Sequence, residues 1–88
     1  MLVLELPKGT TVDDQLEKVT EEYIEFMFAA INKDANEELI SEFYDVVQTM
    51  IGVLDLKGIS ACDIRIGKHK HIKKLESRGW KVKDRVIL

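Results

Sequence analysis

Two stretches of the chain, residues 12–31 and about 36–54, repeat apolar side chains at the spacing of an α-helix. The first stripe consists of Leu16, Val19, Tyr23, Phe26, Met27 and Ala30, and the second of Leu39, Phe43, Val46, Met50 and Val53. A helix with one apolar stripe must bury that stripe against another element. The link between the two helices is short, which favours antiparallel neighbours. The pattern therefore predicts an all-α fold built on an antiparallel helical hairpin.

Each predicted helix carries carboxylates three residues apart. The first contains Glu22 and Glu25 within an E-E-x-x-E run that begins at Glu21, and the second contains Glu42 and Asp45 in E-x-x-D. Residues three apart share one helix face, so a hairpin brings four carboxylates together. Such a cluster is unfavourable without a cation, because like charges repel. Oxygen ligands suit Mg²⁺ or Mn²⁺, and Mg²⁺ commonly binds together with substrate phosphates.

Capping side chains mark the expected ends of the helices. The candidate N-caps are Thr10 or Thr11, Asp34 and Ser60. Glu37 and Asp63 follow the last two by three residues, as in a capping box. The third helix should begin after Ser60 and end near Gly79, with Gly67 as a candidate interruption. We also expect the apolar segments 1–6 and 80–88 to be extended and to pair in a small two-stranded sheet.

The composition indicates one soluble globular domain over residues 1–88. Hydrophobic residues make up 45% and charged residues 33% of the chain, and no apolar run approaches the ~18 residues of a membrane span. We therefore expect a cytoplasmic protein without a membrane partner. Cys62 is the single cysteine, which excludes a disulfide within the chain.

The net charge is −3, and the two signs are segregated along the chain. Acidic residues dominate positions 13–45 and basic residues dominate positions 57–85. The basic segment either lies against the acidic one, or is solvated, or holds an anion beside the metal. Binding to nucleic acid is less favoured, because the domain as a whole is acidic.

With both acidic motifs on an apparent hairpin, the chain resembles the MazG-like all-α nucleoside triphosphate pyrophosphohydrolases. Their signature, E-E-x-x-E followed by E-x-x-D, is matched here by Glu21, Glu22 and Glu25 and then by Glu42 and Asp45. The likeness covers roughly residues 15–54. It implies Mg²⁺-dependent cleavage of a nucleoside triphosphate to the monophosphate and pyrophosphate, a reaction suited to removing unwanted nucleotides from the pool.

The resemblance also implies roles for individual residues. Glu22, Glu25, Glu42 and Asp45 would hold the metal, and Glu21 would be an outer or second-metal ligand. Glu21 or Glu25 would orient or deprotonate the attacking water. Lys18, one turn before Glu22, matches a basic residue often found there in the family and would be a substrate-binding residue. From the residues alone, the candidates for phosphate contacts are Lys73, Lys74 and Arg78, although a solvated basic face explains each of them equally well.

Two other function classes stay open beside the enzyme. One is a helical protein-interaction module whose acidic flank is merely solvated. The other is a non-catalytic regulator that binds nucleotide and metal without turnover. Metal-dependent release of pyrophosphate separates the enzyme from both.

The apolar arc of each hairpin helix is wider than one partner helix can bury. The surplus side chains are Ile24, Phe28, Ile31, Ile40, Tyr44, Val47 and Ile51. Burial of each large one contributes roughly 1.5–3 kcal/mol, so we expect a homodimer or homotetramer. Two hairpins would then form a four-helix-bundle core.

Overall fold

The computed structural model describes residues 1–32 and 35–88, which form three α-helices. Helix α1 spans Val12–Ile31, α2 spans Asn36–Leu56 and α3 spans Ala61–Ser77. The predicted all-α class is confirmed, and α2 continues two residues beyond its predicted end. No helix described here is long and apolar enough to cross a bilayer.

The predicted two-stranded sheet is wrong, because residues 1–6 and 80–88 contain no strand. The N-terminal arm, residues 1–10, lies beside α2 instead. Its backbone is held by a side chain rather than by a partner strand, since Gln48 Nε2 donates to the Leu2 carbonyl at 2.6 Å. That bond satisfies one carbonyl group, and residues 1–5 are exposed, so their other backbone groups can bond to water instead of to a partner strand.

Two capping boxes fix the first turns of α1 and α3. Asp14 N donates to Thr11 Oγ1 at 3.1 Å, and Thr11 N donates to Asp14 Oδ2 at 3.0 Å. Ser60 and Asp63 exchange the same two bonds at 3.1 and 2.9 Å. These reciprocal bonds satisfy backbone donors that a helix start leaves free.

The other two predictions about helix ends have different outcomes. Residue 34, the predicted cap of α2, lies outside the described residues, and the described N-cap Ala35 has no side-chain cap bond. Helix α3 passes through Gly67, so the predicted interruption is wrong. A single interior glycine costs only about 1 kcal/mol relative to alanine and does not by itself end a helix. Helix α3 ends before Gly79 as predicted, and Gly58 and Gly79 take the left-handed conformation after α2 and α3, with φ of 78° and 83°.

Helices α1 and α2 pack against each other as an antiparallel hairpin. Gln15 near the start of α1 meets Thr49 and Gly52 near the end of α2, whereas Glu22 meets Glu42 earlier in α2. Gly52 leaves room for the Gln15 side chain between the helices, because a Cβ atom at position 52 would stand 2.6 Å from Gln15 Nε2. A glycine at this position of α2 thus allows the close contact with Gln15.

The single chain buries little apolar surface. Ala29 and Val46 are the buried hydrophobic residues among those described, and α1 with α2 is the one helix pair that packs together there. The accessible surface is 7568 Å², whereas a compact monomer of 10.1 kDa exposes about 5300 Å². The radius of gyration is 15.0 Å, compared with about 12 Å for a compact domain of this length.

The capping boxes make stability depend on pH in acid. Hydrogen bonds from the backbone and side chain of Thr11 lower the pKa of Asp14, and those of Ser60 lower the pKa of Asp63 in the same way. A lowered pKa in the folded state means that the stabilisation is complete above the ordinary value of 3.8. It is lost as the pH falls through the lowered values.

We therefore expect the thermal midpoint of the parent chain to decrease when the pH is lowered below about 4. In the Asp14→Asn, Asp63→Asn double variant this fall should be smaller, because two of the linked protons are removed. Circular dichroism melts at several pH values measure the difference. Asp13→Asn is the control, since Asp13 lies in the same first turn without forming a cap bond in the described structure. Equal pH slopes in all three proteins would contradict the argument.

Candidate metal centre

Three carboxylates meet on one flank of the hairpin. Glu22 comes from the middle of α1, and Glu42 and Asp45 come from adjacent turns of α2. One oxygen from each carboxylate lies within 4.8 Å of the other two. The i, i+3 spacing on α2 and the antiparallel packing of the helices place them together, as the sequence predicted. Three of the four predicted ligands therefore form a single cluster.

One oxygen of this cluster is buried and has no hydrogen-bond partner. Among the described residues, Glu42 Oε2 is the buried side-chain oxygen or nitrogen without a donor or acceptor. Buried polar atoms in folded proteins nearly always have a partner, and an unpaired carboxylate oxygen is costly. The nearby groups at this point are themselves carboxylates, which cannot donate when ionised. A cation, a water molecule or a protonated neighbouring carboxyl group would supply such a partner.

Glu25, the fourth predicted ligand, is exposed and interacts with the edge of the cluster. The negative charge of Glu22 raises the pKa of Glu25 most, and a hydrogen bond with Glu22, partial desolvation and the charge of Glu42 raise it further. The cause is repulsion between like charges at short range. Glu25 thus holds a proton more readily than an isolated glutamate in the absence of a cation.

Lys18 supplies the nearest positive charge. Its Nζ lies 3.3 Å from Glu22 Oε1 and 3.5 Å from Glu21 Oε2. The hydrogen bond to Glu22, followed by the charges of both glutamates, raises the pKa of Lys18. Glu22 is the better shielded partner, with a side chain 12% exposed against 64% for Glu21. The structure therefore places Glu21 beside Lys18 and outside the three-carboxylate cluster.

The three basic candidates on the C-terminal side do not reach the centre within one chain. Lys73 and Lys74 lie on α3, Arg78 is its C-cap, and all three are exposed. Helix α3 does not pack against α1 or α2 in the described part of the chain. Lys18 makes the ion pairs recorded at the cluster. Contact between this basic group and the centre thus requires a second chain or a movement of α3.

Sequence reasoning did not identify a cavity that adjoins the centre. It has a volume of about 380 Å³ and lies between the N-terminal arm and the two hairpin helices. Gln15, Lys18 and Thr49 are among its lining residues. A polar residue at a core-facing position of α1, opposite a glycine on α2, was the signal in the sequence that could have revealed it.

The donor set fits a hard divalent cation. Carboxylate oxygens are the ligands that Mg²⁺ and Mn²⁺ take in proteins, and they come here from two helices that fix their separation. Comparison of the chain with protein-family models, curated proteins and solved structures finds no match. The resemblance to the MazG-like enzymes therefore rests on the paired acidic motifs, and the case for a metal rests on the geometry of Glu22, Glu42 and Asp45.

Proposed function

We propose that this chain is a Mg²⁺-dependent nucleoside triphosphate pyrophosphohydrolase of the MazG-like type, which cleaves the substrate to the monophosphate and pyrophosphate. The observation that carries the proposal is the buried, unpaired Glu42 Oε2 beside the carboxylates of Glu22 and Asp45. A solvated acidic flank would leave each oxygen in contact with water. A buried one among like charges is instead expected where a cation completes the site.

Each residue of the centre has a role in this proposal. Glu22, Glu42 and Asp45, with Glu25 at the edge, would hold the metal, which would supply positive charge to offset the charge that develops on the leaving pyrophosphate. Glu25 is the preferred group to accept a proton from the attacking water, because it is exposed and lies beside the three-carboxylate cluster rather than within it. Glu21, on the outer side of Lys18, is the alternative.

Lys18 is placed to balance charge at the centre. In the absence of substrate its ammonium group neutralises part of Glu22 and Glu21. The four-carbon stem allows the group to turn from these carboxylates toward a phosphate oxygen. Lys18 would thus hold the triphosphate in register with the water that attacks it.

The exposed apolar faces support assembly into a dimer. Phe28 is 58% exposed and Ile31 68% exposed on α1, and Ile40 is 54% exposed on α2. Val47 and Ile51 are half-buried beside the N-terminal arm and α3, so the surplus faces are covered only in part. The surface in excess of a compact monomer is about 2300 Å², which is within what one partner of a large obligate interface buries. Two hairpins joined in this way would form the four-helix core.

The first prediction concerns the metal ligands. Glu42→Gln should weaken Mn²⁺ or Mg²⁺ binding at least tenfold and abolish turnover, because one ligand charge is lost. Without metal, the same variant should be more stable than the parent by about 1 kcal/mol, since the buried repulsion is relieved. Calorimetric titration and thermal melts with and without metal measure both effects.

Glu17→Gln is the matched control for this experiment. Glu17 is an exposed glutamate of α1 outside the cluster, and its replacement removes the same charge. It should leave metal affinity as in the parent. Equal metal affinity in the Glu42→Gln variant and the parent would remove the proposed centre.

The second prediction concerns the basic group near the end of α3. If Lys73, Lys74 and Arg78 of a neighbouring chain contact the triphosphate, their joint replacement by Gln should raise KM several-fold and leave metal affinity unchanged. Steady-state kinetics with nucleotide and Mg²⁺ provide the test. Replacing Lys81 and Lys83 by Gln is the control for the loss of positive charge alone. Unchanged kinetics in the triple variant would assign these residues to a solvated face.

The third prediction concerns assembly. Phe28→Asp puts a charge into the proposed interface and should shift the protein from dimer to monomer at micromolar concentration, with a lower thermal midpoint. Ile66→Asp is the control, because Ile66 is similarly exposed, at 64%, but lies on α3. Sedimentation equilibrium distinguishes the states. A parent chain that sediments as a stable 10.1 kDa monomer would show that no such interface forms.

A further inference from the structure

The cavity beside the metal centre has the size and lining of a small-molecule site. Its volume is about 380 Å³, which lies at the lower end of the range for ligand pockets. Leu4, Leu6 and Pro7 of the N-terminal arm form one wall, and Gln15 and Gly52 lie on the hairpin side. Most of the exposed lining surface is apolar, and the polar side chains around it include Thr10, Asp14 and Gln48.

The cavity and the metal centre occupy the same flank of the hairpin. Lys18 lines the cavity and also contacts Glu22 of the centre. On α2, Thr49 and Gly52 follow Asp45 at intervals of four and three residues, so all three share one face. Gln15 precedes Glu22 by seven residues, which is about 10 Å along a helix axis. One extended ligand can therefore occupy both places.

Gln15 lines this cavity, and the nitrogen end of its amide is already hydrogen-bonded. Its side chain is 7% exposed, and Nε2 donates to the Thr49 carbonyl at 3.1 Å. The orientation of the amide follows from chemistry, because a carbonyl can only accept a hydrogen bond. Gly52 lies against the nitrogen end of the amide, with Nε2, Cδ and Cγ as its nearest side-chain atoms. The oxygen Oε1 is thus the end left to accept a bond from a ligand.

We propose that this cavity receives the nucleobase of the substrate, and that Gln15 Oε1 selects bases with an exocyclic amino group. The inference rests on the proposed pyrophosphohydrolase function, since the phosphates would lie at the metal centre while the base lies under the N-terminal arm. Cytosine and adenine offer an amino donor where uracil and hypoxanthine offer a carbonyl. With uracil or hypoxanthine, Gln15 Oε1 would face a carbonyl oxygen of the base, and neither oxygen can donate a hydrogen bond. The unpaired acceptors would lower the affinity for these bases.

Gly52 acts as a positioning residue for Gln15. A side chain at position 52 would displace the Gln15 amide, because its Cβ atom would lie 2.6 Å from Gln15 Nε2, which is too close for two unbonded atoms. The displaced part is a flexible side chain, so the helices can stay packed while the acceptor moves. Gly52→Ala therefore tests the base site without removing any polar group from it.

The experiment compares cytidine and uridine triphosphates in the presence of Mg²⁺, for the parent chain and the Gln15→Leu variant. The two nucleotides differ in one amino or oxo group. The parent should have a kcat/KM for the cytidine nucleotide about tenfold above that for the uridine nucleotide. The variant should lose this preference and keep its affinity for inorganic tripolyphosphate, which has no base. A parent without preference, or a preference that survives in Gln15→Leu, overturns the inference.

Gly52→Ala is the second variant, in case Gln15→Leu does not fold. It should reduce the preference between the two nucleotides while leaving affinity for tripolyphosphate unchanged. Gly67→Ala is its control, because a Cβ at that position of α3 meets nothing within 4 Å. If the Gly52→Ala variant folds and Gln15 is displaced, but the preference between the two nucleotides is unchanged, this would also contradict the role of Gln15.

A final measurement separates failure of this inference from failure of the proposed function. If no nucleotide is hydrolysed, cytidine without phosphates is titrated into the ¹⁵N-labelled protein. Shifts of the Thr49 and Gly52 amide signals and of the Gln15 side-chain amide would support a base site independent of catalysis. No shift there would overturn the base site as well. Turnover that is equal for all bases would instead leave the proposed function standing and remove the inference alone.

Discussion

The packing of α1 against α2 is the contact on which the rest of the structure depends. It aligns Glu22 with Glu42 and Asp45, and it also brings Gln15 against Gly52. This contact is made with few buried apolar side chains, since Ala29 and Val46 are the buried hydrophobic residues of the described chain. The contact of Gln15 with Gly52 and its bond to Thr49 therefore add a specific polar contribution to the register of the hairpin.

The hairpin places charges in a way that opposes its own stability. Helices α1 and α2 together carry eleven carboxylates and one lysine, whereas α3 has five basic residues against Asp63 and Glu76. If α3 packed along the hairpin, its basic residues would offset part of the repulsion between the carboxylates of α1 and α2. In the described part of the chain, however, α3 does not pack against either helix. Counter-charge must then come from salt, from a divalent cation, or from the basic segment of another chain. The proposed metal and the proposed dimer are two answers to the same electrostatic problem.

The sequence predicted the elements better than their arrangement. Periodicity located α1 to the residue and α2 to within two, because apolar spacing and the Thr11 cap are local features. The carboxylate cluster was predicted because each helix presents an i, i+3 pair of carboxylates on one face, and packing the two helices as a hairpin brings these faces together. The placement of α3 and the absence of a terminal sheet depend on contacts between distant residues, which no local pattern encodes. The cavity beside Lys18 was missed for the same reason, since Leu6 and Gly52 are brought together only by the fold.

Function and marginal packing are linked in this molecule through the same few side chains. The negative charge of Glu22 raises the pKa of Glu25, and Lys18 lies between Glu22 and Glu21, so the groups with roles in the proposed reaction interact with one another. A cation among the carboxylates would offset the repulsion that acts on Glu25 and weaken the attraction that holds Lys18. Glu25 would then be free to act as a base and Lys18 to turn toward a phosphate. Binding of metal would thus stabilise the hairpin and prepare it for substrate in a single step, because the repulsion that destabilises the empty arrangement is the repulsion that the cation removes.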